Sequence, residues 1–241
     1  MTTLAVLSDL HGNLGALEAA VVDLTRRKVD HVVVLGDLVG YLARPSRVVQ
    51  RVALRMAQKG WRTLAGNYDL AVVAGGDEGA ERFLKPGIGE MPRQVFDWTC
   101  QKVNPPIREL LANLPNSLSF KLSGVHCLAV HGSPEGVRDY VYPDRPSEQL
   151  ATWLEEYGAH CLFMGQTHFP FVRKLSQGLV VNPGSLGQPK DGDPRPSYAL
   201  VNLKKLSAEI VRLNYDLEAE AELLREEGLP EVTVEKLKTG R

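Results

Sequence analysis

The chain has 241 residues, 28 Lys+Arg against 29 Asp+Glu, and a formal charge of −1. That length suits one sizeable core, and so even a charge balance excludes a polycation that coats nucleic acid or an anionic membrane by bulk electrostatics. The 44% apolar and 24% charged residues exclude a disordered or fibrous chain.

Leu4-Ala5-Val6-Leu7 predicts a short strand, and 13–27, with Leu14, Leu17, Val21 and Leu24 at helical spacing, predicts the helix after it. The β-branched run 31–35 ends in Gly36-Asp37; an amphipathic helix over 46–58 and a short strand over 61–65 follow. A β-α-β-α-β opening implies parallel strands, right-handed crossovers and functional loops at the carboxyl ends of the strands. Asp9, His11, Asp37 and Asn67 fall just past such ends.

Residues 75–116 break the pattern as a helical insertion, with helices over 92–102 and 106–112. Its Phe83, Phe96 and Trp98 read first as core residues, with a cap over the site as the alternative. From 117 the signal changes to strands with short turns, over 117–122, 125–130, 161–164, 169–175, 179–182, 197–202 and 208–213, interrupted by a helix over 146–157. Two sheets with flanking helices are the natural packing. The tail is charged and helical over 216–227 and 231–238, anchored by Leu223, Leu224 and Leu237, and one domain over 1–241 is expected.

The longest apolar runs, such as 32–35 and 70–74, fall far short of the ~18 residues of a membrane span. Ser8-Asp9 interrupts the first run before it could serve as a signal-peptide core, so a cytoplasmic location is expected. Cys100, Cys127 and Cys161 have neither disulfide-framework nor zinc-knuckle spacing and read as small buried hydrophobes.

Five short motifs each follow a predicted strand: Asp9-Leu10-His11, Gly36-Asp37, Gly66-Asn67-Tyr68-Asp69, His131-Gly132 and Gly165-Gln166-Thr167-His168. In an extended segment Asp-x-His points both side chains one way, because strand geometry alternates faces. Any one of these motifs is common; the ordered set, each beside a glycine at a strand end, is not. Carboxylates, carboxamides and imidazoles without thiolate suit a divalent manganese, iron, zinc or similar ion. The donors suffice for two ions, and two ions ~3.5–4 Å apart can clamp both oxygens of an in-line phosphoryl displacement. Two carboxylates against two divalent ions leave a net positive site, which fits a phosphate guest.

The set resembles the calcineurin-like metallophosphoesterases, whose pattern is Asp-x-His, Gly-Asp-x-x-Gly, Gly-Asn-His-Asp/Glu, a lone His-Gly and Gly-His-x-His. Here Gly36-Asp37-Leu38-Val39-Gly40 completes the second motif, and Asp9 to Asn13, Asn182-Pro183-Gly184-Ser185 and Gly187-Gln188-Pro189 to Ser197-Tyr198 are similar to the small bacterial and archaeal phosphodiesterase branch. The resemblance implies an α/β fold, a four-layer αββα sandwich of two mixed sheets with the metal site at one edge. It also implies metal-bound hydroxide attacking phosphorus in line. By this likeness Asp9, His11, Asp37 and His168 would hold the first metal, and Asp37, Asn67, His131 and the residue at 166 the second; Asn67 and His131 would also stabilise developing charge.

Two positions depart from the pattern. Gln166 replaces a histidine ligand, and a carboxamide oxygen is a weaker donor than imidazole, so the second site is expected to bind weakly or be partly occupied. Tyr68 replaces the histidine that helps protonate the leaving group, and a phenol releases its proton less readily. Good leaving groups follow as the expectation, in phosphodiesters or nucleotides rather than alkyl monoesters. Two alternatives stand beside a phosphodiesterase or nucleotide hydrolase with Mn, Fe, Zn or Ni: a phosphomonoesterase or protein phosphatase of the same fold, and a scaffold that has lost its chemistry.

Lys190 and Arg195 lie among turn residues, as solvated cations or as contacts to a substrate phosphate. Asp69 reads as an orienting loop residue, Tyr41 and Arg44 as ordinary loop or pocket lining, and His31, His126 and His160 as structural.

Overall fold

The structure, a computed structural model, describes residues 2–84 and 89–241. The chain opens with β1 (Thr3–Leu7), α1 (Leu14–Arg26), β2 (His31–Val34), α2 (Pro45–Lys59) and β3 (Arg62–Thr63). Asn13 starts α1 by accepting the Ala16 N–H on its side chain, and Gly60 ends α2 in the left-handed conformation. Four helices follow, α3 (Asn67–Ala74), α4 (Gly76–Phe83), α5 (Glu90–Lys102) and α6 (Pro105–Ala112). The second half holds β4 (Ser117–Leu122), β5 (Val125–Val130), α7 (Ser147–Glu156), β6 (Cys161–Phe163), β7 (Phe171–Lys174), β8 (Leu179–Asn182), β9 (Ser197–Asn202) and β10 (Ser207–Arg212), and the tail forms α8 (Leu217–Glu226) and α9 (Glu231–Thr239).

The strands form two sheets, in the orders β10-β9-β1-β2-β3 and β4-β5-β6-β8-β7. Both are mixed: β1, β2 and β3 run parallel with β9 antiparallel to β1, while β5, β6 and β8 run parallel with β4 and β7 antiparallel at the edges. Alternation along the strands builds the layers. Leu4, Val6, Val33 and Leu35 meet Cys127, Ala129, Cys161, Phe163 and Val181 between the sheets. The intervening Ala5, Leu7, Val32 and Val34 face outward onto α1, α2 and the insertion helices, and Leu128, Val130, Leu162 and Val180 face outward onto Leu150, Trp153 and Leu154 of α7. Strands buried on both faces explain the unbroken apolar runs, and the result is the expected helix–sheet–sheet–helix stack. In the tail, Leu224 and Leu237 pack with Leu42, Ala43 and Val95 in one cluster, with Leu223 at its margin. Among the described residues no helix is long and apolar enough to cross a membrane.

Three readings need correction. The apolar run after Asn67 is helical, so Asn67 begins α3 instead of lying in a loop. Helix α4 lies in a stretch whose glycines suggest a break. A Cβ on Gly79 would meet the Ala71 carbonyl oxygen at 2.2 Å, so this glycine lets α4 pack directly against α3. Cys100 is only half-buried, unlike Cys127 and Cys161. Part of the expected insertion, residues 85–88, lies outside the described residues.

Candidate metal centre

The motif loops meet where β1, β2 and β3 of one sheet and β5 and β6 of the other end. Asp9 and His11 are not extended, as Asp-x-His geometry predicts, but left-handed, with φ of 54° and 45°. Asp37, Gln166 and His168 share that conformation at φ 51°, 69° and 61°, at a cost of about 1–2 kcal/mol for each non-glycine residue. The two side chains reach one point because successive left-handed turns curl the loop around it. Backbone bonds hold the curl: Asp9 N–H donates to Gly36 O (3.1 Å), His11 N–H to Asp37 O (2.8 Å) and Gly187 N–H to Asp9 O (2.8 Å). The loops after β2 and β3 approach so closely that a Cβ on Gly36 would lie 2.2 Å from Gly66 N, and one on Gly66 would lie 2.1 Å from Asp37 Oδ1.

Each imidazole is aimed by its Nδ1. That atom lies 3.0 Å from Val39 O in His11, 2.7 Å from Leu35 O in His131 and 2.5 Å from Gln188 O in His168. A carbonyl only accepts, so Nδ1 carries the proton and Nε2 of each neutral ring is a free lone pair. Asn67 is set likewise, its Nδ2 donating to Phe83 O at 3.0 Å and leaving Oδ1 to face inward. The inward atoms crowd together. His11 Nε2 is 3.1 Å from His168 Nε2 and 3.5 Å from Asp37 Oδ2; Asp9 Oδ1 is 3.4 Å from His168 Nε2. On the other side His131 Nε2 lies 2.6 Å from Gln166 Oε1, 3.1 Å from Asn67 Oδ1 and 3.4 Å from Asp37 Oδ2.

Acceptors facing acceptors repel unless a cation lies between them. Asp9 Oδ1 is also buried without a hydrogen-bond partner, which is costly for a carboxylate. The residues therefore fit divalent metal ions. Asp9, His11 and His168 form one ligand group and Asp9, Asp37 and His131 a second, with Asp37 Oδ2 within 3.5 Å of both His11 and His131 Nε2. Burial pushes the His11 ring down to about 3 and also lowers His168, helped by Lys190. At His131 burial works the same way, but Asp37 and Asp9 overcome it and hold the ring up at about 10.

Around the ligands, Asp69 binds the two loops together. One oxygen accepts Leu38 N–H (2.9 Å) and Val39 N–H (3.2 Å), the other Gly66 N–H (3.0 Å). Burial and the neighbouring Asp37 charge push Asp69 up to about 7, against the Gly66 and Val39 N–H donors and His131, which favour its anion. Tyr68 is buried, its N–H donates to Asp37 Oδ1 at 2.8 Å, and burial, with Tyr41 adding, lifts its phenol well above the ordinary value. The Tyr41 ring lies 4.5 Å from His11 and 4.8 Å from Tyr68, with Lys190 Nζ 5.0 Å above it.

Lys190 is thus beside the centre, whereas Arg195 is exposed and held by both carboxylate oxygens of Asp193. The His126 ring bonds the Gly158 carbonyl and Ser119, His160 Nδ1 accepts the His126 N–H, and His31 opens β2. Phe96 is core, and Phe83 contributes its carbonyl to Asn67. Two residues escaped sequence reasoning. Gln188 acts through its backbone carbonyl, which no side-chain pattern reveals. Tyr140 is pushed up to about 12 by burial, then by Tyr41, Asp37 and Asp9, and stacks on Tyr142, which meets Phe169 beside His168. Its signal was the Tyr140-x-Tyr142 alternation in the loop after His131.

Paired mixed sheets with carboxylates, imidazoles and carboxamides converging at their strand ends define a metal-dependent phosphoesterase. The chain belongs to the calcineurin-like phosphoesterase superfamily, whose domain matches residues 2–206. It is 30% identical over 255 aligned positions to an uncharacterized protein of Methanocaldococcus jannaschii, covering 99% of this chain and 98% of that one. The metallophosphoesterase of Sphaerobacter thermophilus superposes with a TM-score of 0.78 at 29% identity, and a hypothetical protein of Pyrococcus horikoshii with 0.90 at 25%; each alignment covers 100% of this chain and 99% of the other. The chain is accordingly a hydrolase of phosphoric esters that uses divalent metal ions.

Proposed function

We propose that the chain hydrolyses phosphodiesters or nucleotide phosphoanhydrides at two divalent ions. Asp9, His11, Asp37 and His168 would hold the first ion, and Asp37, Asn67, His131 and Gln166 the second. The observation that carries this reading is the convergence of three imidazole lone pairs and two carboxylates on two adjacent points, with Asp37 Oδ2 between them. When bound, such a pair of ions supplies an activated water and charge stabilisation for in-line displacement.

The chain's own groups set the rest. Leu35 and Phe83 carbonyls fix His131 and Asn67, so both are preorganised where charge develops on phosphorus. Tyr68 keeps its proton and offers an O–H to the leaving oxygen, a weaker acid than an imidazolium. Leaving groups that depart as stable anions are favoured over alkoxides. The ledge of Tyr140, Tyr142 and Phe169 beside His168 supports an aromatic substituent such as a nucleobase.

Turnover of bis(p-nitrophenyl) phosphate, assayed with manganese, nickel, iron and zinc in turn, tests the reading, with Asp37→Ala as the inactive control. Absence of turnover with all four metals would remove the reading and favour the scaffold alternative.

A further inference from the structure

Between α1 and α8 lies a groove of about 450 Å³, within the ~300–1,000 Å³ of sites that take a whole small ligand. It is separate from the metal centre: among the described residues none of the proposed ion ligands lines it. Leu14 and Leu223 give it apolar sides, and Tyr215 is a third wall held in place. The Tyr215 OH accepts a hydrogen bond from Asn13 Nδ2 at 3.2 Å, and the ring lies so near Gly15 that a Cβ there would meet Tyr215 Cδ2 at 3.3 Å.

Among the described residues Glu220 is the one buried member of the lining, 5% exposed, so its carboxylate stands at the inner end of the groove. Its Oε1 has no hydrogen-bond partner. A buried carboxylate oxygen left bare costs stability and needs a reason. The other charged groups of the lining do not supply one. Glu18 is held by Arg51 at 2.7 Å and Asp216 accepts the Ala219 N–H at 2.9 Å, while Arg44, the one cation in the lining, is exposed and not bonded to Oε1. Three carboxylates against one guanidinium make the groove attractive to a cation. We infer that it binds an aliphatic amine, with the ammonium on Glu220 and the hydrocarbon chain along Leu14, Leu223 and the Tyr215 ring. The ammonium donates to the bare oxygen in a charge-assisted bond, and the methylenes displace water from the apolar sides. A hard metal ion would answer only half of this, since a single uncommitted carboxylate among apolar walls offers too few oxygens to hold it.

The test is calorimetric titration of the full chain with putrescine and with the neutral diol of the same chain length. Salt at about 0.15 M screens loose attraction, and manganese is present so that the carboxylates of the metal centre do not compete for the amine. Wild type should bind putrescine at least about ten-fold tighter than the diol. Glu220→Gln should cut putrescine affinity about ten-fold or more and leave the diol within about two-fold; the change keeps the side-chain shape and relieves a buried charge, so the fold survives it. Ala219 lines the groove at an exposed position, and Ala219→Leu should lower putrescine affinity by filling the groove with no change of charge. Glu222, paired with Arg225 outside the groove, is the control: Glu222→Gln removes the same charge from α8 and should leave affinity within about two-fold. No preference for the amine in wild type, unchanged putrescine affinity in either groove variant, or equal losses in Glu220→Gln and Glu222→Gln overturns the inference.

Discussion

Asp69 touches no proposed ligand position directly, yet its removal should be among the most damaging single changes in the chain. Asp69→Ala leaves the Leu38, Val39 and Gly66 N–H groups in a cavity where Asp69 itself has 0% exposure. A buried donor without a partner costs about 1–3 kcal/mol, so three orphans cost at least about 3 kcal/mol. For a chain of this size that lowers the melting temperature by roughly 6–12 °C. Asp69→Asn keeps one acceptor oxygen for Leu38 and Val39 but turns an amide NH₂ toward the Gly66 N–H; it should cost about 1–3 kcal/mol. Because these bonds join the loops carrying Asp37 and Asn67, metal affinity should fall about 10–100-fold in both variants. Urea denaturation and manganese titration measure the two effects. If Asp69→Ala unfolds within about 1 kcal/mol of wild type, or binds manganese unchanged, the clamp does not exist.

Gln166→His should tighten the second ion and bring the metal content after dialysis up toward two per chain, measured by elemental analysis; a wild type already saturated after dialysis contradicts the weak-site argument. Tyr68→Phe should scarcely alter turnover of aryl diesters with acidic leaving groups and slow poor leaving groups by about 100-fold, so an identical rate ratio across graded phenols removes Tyr68 from proton donation. Metal binding should be visible without activity: at 100 times the dissociation constant an ion adds about 2.7 kcal/mol, and differential scanning fluorimetry should show a chelator removing roughly 5–10 °C. Burial holds Glu220 up at about 7, opposed by Arg44 and the Ala43 N–H. A carboxyl raised on folding binds extra protons in the native state between its unfolded and folded values, so its burden on stability grows as pH rises from about 4.5 toward 7. Glu220→Gln should therefore raise stability above pH 7 by about 3 kcal/mol and not below pH 4.5; urea melts at both pH values that show equal gains would contradict this.

The sequence was most legible where chemistry and strand ends coincide. Asp9, His11, Asp37, Asn67, His131, Gln166 and His168 were all readable, because each follows a β-branched or apolar run beside a glycine, and the structure brings all seven together. The geometric reason offered for Asp9 and His11 was wrong: tertiary bonds to Gly36, Asp37 and Gly187 override local preference and impose left-handed turns. Helix α4 was hidden because Gly79 reads as a breaker when its missing Cβ is a packing requirement. Arg195 had its own explanation two residues away in Asp193, an ion pair that a turn allows and that spends its charge locally. Gln188 and Phe83 were unreadable in principle, since they act through carbonyl oxygens that every residue has.

The proposed ligands are divided between the two sheets, with Asp9, His11, Asp37 and Asn67 following strands of one and His131, Gln166 and His168 following strands of the other. Neither sheet alone could assemble either proposed ion site in full, since His168 would complete the first and His131 and Gln166 the second. On that assignment metal capture is expected late on the folding path, after the sheet–sheet interface has closed across a long loop. Ions held by that set would act as a rivet between the layers, and prying the layers apart would require their release. The bound chain should owe its persistence to slow opening as much as to equilibrium stability.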